Sequence, residues 1–232
     1  INNKVTTGFV AILDSSGKFI EYQKIYENTS GSEILKFITD KSGNYYINFI
    51  TSKDTGSIFY RGGALKIKAD TSPWRYIIVK YNSNFTNINW YKELPTTTPI
   101  NVSRSFEIHN MQIGKDNNLY LACDLCAAYT INNYKFQIGN AKRKGLIVVI
   151  SSSGKFVFTS LINEDLKQDD NLWDITARDT NFIYLIGYVR DSILYKKNWF
   201  SSKNKSSAGL GFPYIGLISA SKGAKWIKLT LN

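Results

Sequence analysis

No apolar run in this chain approaches the roughly 20 residues that a membrane-spanning helix needs, so no such helix is expected within it. Histidine occurs once, at His109, and cysteine twice, at Cys123 and Cys126. A four-ligand zinc site would therefore need carboxylates or a second subunit. The G-x-S-x-G context of a serine hydrolase is missing, and so is the D-x-D-x-D-G spacing of a calcium loop. Only four prolines and one methionine are present. The opening residues, Ile1-Asn2-Asn3-Lys4, carry neither an initiator methionine nor the apolar stretch of a secretory leader. We therefore expect a processed chain or a piece of a longer one. Of the compartments, extracellular, cell-surface and virion settings are favoured.

What is present favours strands. Fifteen Tyr and thirteen Phe accompany many Ile, Val and Thr, residues that suit a pleated, half-buried surface. At 232 residues and 43% hydrophobic content, the chain can build one large domain or two small ones. Its formal net charge is +11. Such a balance keeps a surface soluble or draws an anionic partner. The cations are dispersed, and the one tight run is Lys142-Arg143-Lys144. A nucleic-acid footprint clusters more than this, so no specific nucleic acid is expected. An anionic surface or a glycan stays open as a partner.

A hairpin pattern organises the chain. Gly145 to Asn163 reads as an apolar run, a Ser-Ser-Ser-Gly turn and a second alternating run. Gly8 to Tyr26, Tyr76 to Leu94 and Tyr214 to Leu231 share that shape. Asp14, Tyr81, Ser151 and Ser219 open the four turns, 67 to 70 residues apart. A second hairpin type alternates with the first. It covers Ile34 to Ile50, Phe106 to Ala122 and Leu172 to Gly187, with Tyr46, Tyr120 and Tyr184 at matching places. The chain thus divides into a half unit, 8–27, and three full units, 30–95, 102–163 and 169–232, within a single repeat region, 1–232. Each full unit is predicted to hold four strands. Uneven connections join the paired hairpins, and Ser52 to Arg75 has room for an extra strand pair at Ser57 to Tyr60 and Leu65 to Lys68. Thr96 to Pro99 separates the first two full units, and Lys203 to Gly211 reads as a mobile tip.

Tandem four-stranded antiparallel units are the material of a β-propeller. Ile38, Asp40, Gly43, Asn44 and Tyr46 match the first part of a known blade motif. Phe9, Val10, Ala11, Asp14 and Gly17, with Trp90 and Trp226 on closing strands, match the second. In these residues the chain resembles the bacterial-type β-propeller repeat family. The resemblance spans nearly the whole chain, although the second and third full units lose the Gly-Asn turn. It implies an all-β, propeller-like fold of about three and a half blades. A closed ring typically uses four to eight. Further blades of the same chain, a second copy, or closure of the first hairpin on the last unit would supply the remainder. The first two are favoured, because Phe9, Ile12 and Ile20 need a cover that seven preceding residues cannot give.

Each chemically suggestive residue has a plain alternative. Cys123 and Cys126 form C-x-x-C, readable as two thiols, a local disulfide or half a metal site. His109 lies on a strand with no nucleophile beside it in sequence, so a packed or surface role is expected. Asp14, Asp40, Asp116 and Asp179 sit in turns, where Asp bonds its own backbone. Glu164, Asp165, Asp169 and Asp170 read as a solvated acidic loop. Trp90 and Trp226 are expected to pack between blades. Trp74 and Trp199 fall in connections and suit stacking on a sugar or anchoring a partner. Asn28, Asn84, Asn101 and Asn204 open N-x-S/T patterns that are weak in so polar a chain.

These readings converge on a non-catalytic binding or structural module, with no cofactor and no resident metal. Its contact residues are expected to be Trp74, Trp199, Lys142, Arg143 and Lys144. Its partners would be other protein subunits or further blades in a surface or multi-subunit assembly. The alternative is a lectin or carbohydrate-active enzyme with a propeller pocket, whose two facing acids the acidic residues would have to supply.

Overall fold

Alternating apolar residues become strand almost throughout. The computed structural model describes residues 5–28, 31–52, 55–68, 74–94, 106–126, 129–131, 134–136, 143–165, 169–190, 192–201 and 211–229. Among these residues every regular element is a β-strand, so no helix long and apolar enough to cross a membrane occurs there. The chain forms two compact units, Ile1–Thr96 and Thr97–Asn232.

In the first unit, β1 (Thr6–Leu13), β2 (Phe19–Asn28), β5 (Gly56–Tyr60) and β6 (Gly63–Ile67) form the first sheet, hydrogen-bonded in that order. The second sheet runs β3 (Ser32–Thr39), β4 (Tyr45–Ser52), β7 (Trp74–Tyr81) and β8 (Ile88–Leu94). The extra strand pair expected between β4 and β7 exists, but it does not stay with its own repeat. It folds back onto the preceding hairpin, with Tyr26 opposite Ile58 and Asn28 opposite Gly56. The half unit 8–27 is thereby completed to four strands. An open β2 edge would leave a row of ladder groups unpaired, and the inserted pair satisfies part of it.

The second unit contains two more sheets. The third is β9 (Phe106–Ile113), β10 (Leu119–Leu125), β13 (Lys144–Ile150) and β14 (Phe156–Leu161). The fourth is β15 (Asp170–Asp179), β16 (Phe182–Val189), β19 (Phe212–Ser219) and β20 (Gly223–Leu229). Two short ribbons, β11 (Tyr129–Ile131) with β12 (Tyr134–Phe136) and β17 (Ser192–Tyr195) with β18 (Asn198–Ser201), are inserted in them. Each full repeat is therefore a four-stranded meander with a hairpin inserted between its second and third strands.

The turns repeat as closely as the strands. Asp14 N–H bonds Lys18 O, and Gly17 N–H bonds Asp14 O. The same pair of bonds recurs at Asp40, Gly114 and Ser151. The fourth turn residue lies at positive φ: Gly17 (83°), Gly43 (78°), Asn117 (59°) and Gly154 (82°). That is a type I turn followed by a left-handed residue, which Gly or Asn adopts at least cost. Asp14, Asp40 and Asp116 turn their carboxylates onto these turns, as expected of Asp there. In the second repeat the opener is Asn82, not Tyr81, which ends β7. The four openers are then 68 or 69 residues apart.

Burial sorts the two faces of each sheet. Within the first unit, Ile25, Tyr26 and Ile58 of the first sheet share a core with Ile47, Phe49, Ile77 and Val79 of the second. Within the second unit, Tyr120, Ile147 and Val149 of the third sheet meet Leu172, Ile183, Leu185, Tyr214 and Ile218 of the fourth. Each fully buried side chain of this size stabilises the fold by about 1.5–3 kcal/mol. Matching tyrosines do not share one fate. Tyr46 and Tyr120 are fully buried and donate to Asp40 and Asp116 of their own turns, whereas Tyr184 is exposed. Trp90 packs edge-on to Tyr46, but Trp226 is exposed, contrary to the expectation for both. Lys203 to Leu210, the Thr96 to Pro99 separator and the Asn101 and Asn204 patterns lie outside the described residues. Asn28 is buried, its side chain donating to Tyr26 and Thr51, and offers no acceptor site for a glycan.

Candidate functional site

In the second unit, β10 and β14 end, and β13 and β15 begin, at one common end of the third and fourth sheets. Both inserted ribbons leave from this end. The β17–β18 ribbon is pinned there by side chains that follow β14. Asn163 accepts from Leu194 N–H at 2.9 Å and donates to Ser192 O at 2.9 Å. Glu164 N–H bonds Leu194 O at 2.7 Å, and its carboxylate accepts from Lys196 N–H at 3.0 Å.

The tip of the ribbon carries backbone strain. Tyr195 pairs with Asn198, so Lys196 and Lys197 form a two-residue turn, both at positive φ (45° and 68°). Asn and Gly normally fill such a turn; a left-handed conformation costs an ordinary side chain about 1–2 kcal/mol. The cost is sustained by the Asn163 and Glu164 bonds and by Lys196 Nζ, which donates to Ala220 O at 2.8 Å. Next to this turn Trp199 is 59% exposed, with exposed Lys197 and Asn198 beside it. A flat apolar ring, an amide and an ammonium thus share one rigid tip. That combination stacks on a sugar face or anchors an acidic peptide.

Beneath the ribbons lies a charged seam. His109 is the extra residue of a β-bulge: Ile108 pairs with Cys123 and Asn110 with Ala122, leaving His109 without a partner position. Bulges re-aim a side chain, and here the imidazole Nε2 lies 2.9 Å from Asp124 Oδ2. Asp124 is buried, and its other oxygen accepts from Leu172 N–H at 2.9 Å, tying β10 to β15. Arg143 stands 3.7 Å from the same carboxylate and 3.9 Å from Glu107. The Asp124 hydrogen bond raises the His109 pKa above its ordinary value, against the opposing effect of burial.

Lys144 does not serve the surface role expected of it. It is the first residue of β13, fully buried, with Nζ 2.9 Å from Asp170 and 2.7 Å from Asp165 O. Asp170 is correspondingly no loop carboxylate. It begins β15, is fully buried, and accepts from Gly145 N–H at 2.7 Å. Burial pushes its carboxyl up to about 7, with Lys144 pulling the other way. The pair stitches the third sheet to the fourth.

Of the expected contact residues, Trp199 and Arg143 are exposed in the second unit. Trp74 opens β7, opposite Ser52 in the ladder, and so lies on a strand rather than in a connection. Lys142 lies outside the described residues. Cys123 and Cys126 are free thiols, Cys123 buried within β10 and Cys126 half-buried beyond its end, so no disulfide joins them. Burial pushes both thiols up in pKa, most at Cys123; at Cys126, Arg143 opposes the rise. Among the described residues no group of three His, Cys, Asp or Glu is placed to hold a metal ion. The residues missed from sequence are Asp124 and Asn163, whereas Asp170 was read as part of a solvated acidic loop. Asp124 had a signal, a single carboxylate interrupting the apolar strand Leu119 to Leu125.

No family model matches the chain, and no curated protein matches it significantly.

Proposed function

We propose that this chain is a non-catalytic binding and structural module, built from propeller-type blades and belonging to a surface or multi-subunit assembly. The observation that carries the reading is the repeat itself. Each full repeat is a meander with a hairpin inserted at the same place, and one of those hairpins holds Trp199 out on a strained, pinned tip. The resemblance to bacterial-type β-propeller repeats supports stacking of the four sheets as blades. The charged groups near the tip support the same reading, since Asp124, Lys144 and Asp170 are spent on joining two sheets.

A glycan partner has its own support: Trp199 adjoins Asn198, the pairing of ring and amide that grips a sugar. The test is binding of the purified chain to a glycan array and to acidic peptides, alongside a hydrolase panel. Trp199→Ala should weaken binding at least about 10-fold, as loss of a central aromatic anchor does. Its melting temperature should not move. Hydrolysis abolished by one carboxylate substitution would overturn the non-catalytic reading. Images of native particles without a ring of blades would overturn the propeller arrangement.

A further inference from the structure

Equivalent positions in the four sheets differ sharply in cover. On the third strand of each full repeat, or β1 in the first sheet, one face carries an apolar pair. These pairs are Phe9 and Leu13, Ile77 and Tyr81, Leu146 and Ile150, and Tyr214 and Ile218. The last three pairs are at most 1% exposed. Phe9 and Leu13 are 59% and 54% exposed, and Tyr22, edge-on to Phe9 on β2, is 66% exposed. The opposite face shows the reverse order. Tyr46 and Tyr120 are fully buried, and their counterpart Tyr184 in the fourth sheet is 40% exposed. Around it lie Ile186 (46%), Ile215 (37%) and Trp226 (41%), with Ile186 paired to Ile215 across the ladder.

One rule describes both units. The second face of one sheet covers the first face of the next: first onto second, and third onto fourth. Two apolar faces stand exposed, the first face of the first sheet and the second face of the fourth. We propose that these faces cover each other between two copies of this chain, in a head-to-tail stack.

The geometry favours a second copy over an unrelated partner because each chain carries both halves of a joint it already makes internally. Area agrees with it. At roughly 100 Å² for each large exposed side chain, Phe9, Leu13 and Tyr22 with their neighbours Phe19 and Ile20 give about 500 Å² on the first sheet, and the four residues of the fourth sheet give about 400 Å². Joined, they approach the lower end of the roughly 1,200–2,000 Å² of a specific interface once a polar rim is added. Left open, each face is as large as the largest apolar patch of a typical monomer, about 300–600 Å², and this chain carries two. A head-to-tail joint is heterologous, so the stack grows or closes into a ring. The proposal uses different residues from the Trp199 tip, and failure of one leaves the other standing.

Sedimentation velocity on the full chain provides the test. Wild type should associate at about 100 µM, in the range where micromolar interfaces fill. Phe9→Glu with Tyr22→Glu breaks one face; Ile186→Glu with Trp226→Glu breaks the other. All four side chains are exposed, so each variant should melt as wild type does. Each variant alone should be monomeric, with association weakened at least about 100-fold. Mixed in equal amounts, the two variants should form a one-to-one dimer that grows no further, because one intact joint remains. Trp199→Ala should associate as wild type does. Three results would overturn the proposal: a monomeric wild type, a single-face variant that still self-associates, or a mixture that stays monomeric.

Discussion

His109 is the chain's only histidine, so its titration can be followed without ambiguity. Its Nε2 donates to a buried carboxylate at 2.9 Å, and its side chain is 22% exposed. The folded pKa is raised, chiefly by that hydrogen bond. A histidine whose folded pKa exceeds the unfolded value of about 6.5 adds stability fully present below that value. The contribution is lost as pH rises through the folded pKa. Neutral imidazole keeps the Nε2–H bond but loses the charge. Asp124 stays ionised, so the neutral imidazole still makes a bond to a charged group, and what protonation adds is the cation–anion attraction, about 1 kcal/mol at 4 Å in water and more where water is excluded. His109→Gln retains a neutral donor and removes the charge. In urea unfolding it should cost about 1 kcal/mol more at pH 5.5 than at pH 8.5. Asp124→Asn should remove the same pH dependence, and the imidazole proton resonances should then titrate at a lower pH. A His109→Gln penalty that is equal at both pH values, or larger at pH 8.5, would refute the reasoning.

Three further outcomes are expected. Lys144→Ala opens a cavity and leaves the buried Asp170 carboxyl without its cation; it should cost about 3–5 kcal/mol in denaturant unfolding, where a surface lysine would cost under about 0.5. Gly187→Ala drives a methyl group into Asn171 O and the Tyr214 hydroxyl, which itself donates to Asn171 O at 3.1 Å; a loss of about 3 kcal/mol or failure to fold should follow, and an unchanged melt would contradict the close approach. Mass spectrometry after alkylation should count two modified cysteines in denaturant under non-reducing conditions, and slow labelling in the native state, slowest at Cys123.

The recurring hairpins were legible in the chain because both of their signals are local. Alternation of period two marks a half-buried strand, and Asp-Ser-Ser-Gly or Asp-Lys-Ser-Gly marks a turn that needs a left-handed fourth residue. The extra pair at Ser57 to Tyr60 and Leu65 to Lys68 could be placed on the same grounds. Its partner could not. Pairing with β2 rather than β4 depends on which edge is open, and nothing in Gly56 to Ile67 records that.

The site shows the same division. Trp199 was readable as an aromatic among polar residues, and its connection was rightly placed between the second and third strands. Lys144 was misread because a cation in a basic run looks alike in sequence whether solvent or a carboxylate 26 positions later receives it. Asp170 shared that ambiguity from the other side. Local sequence thus determined strand, turn and period, since each depends on the backbone preferences of a few adjacent residues. Only tertiary structure decided which face was covered, which charges met and which tyrosine was left bare. Those outcomes are set by segments distant in the chain, and desolvation makes their energies large only after the segments come together.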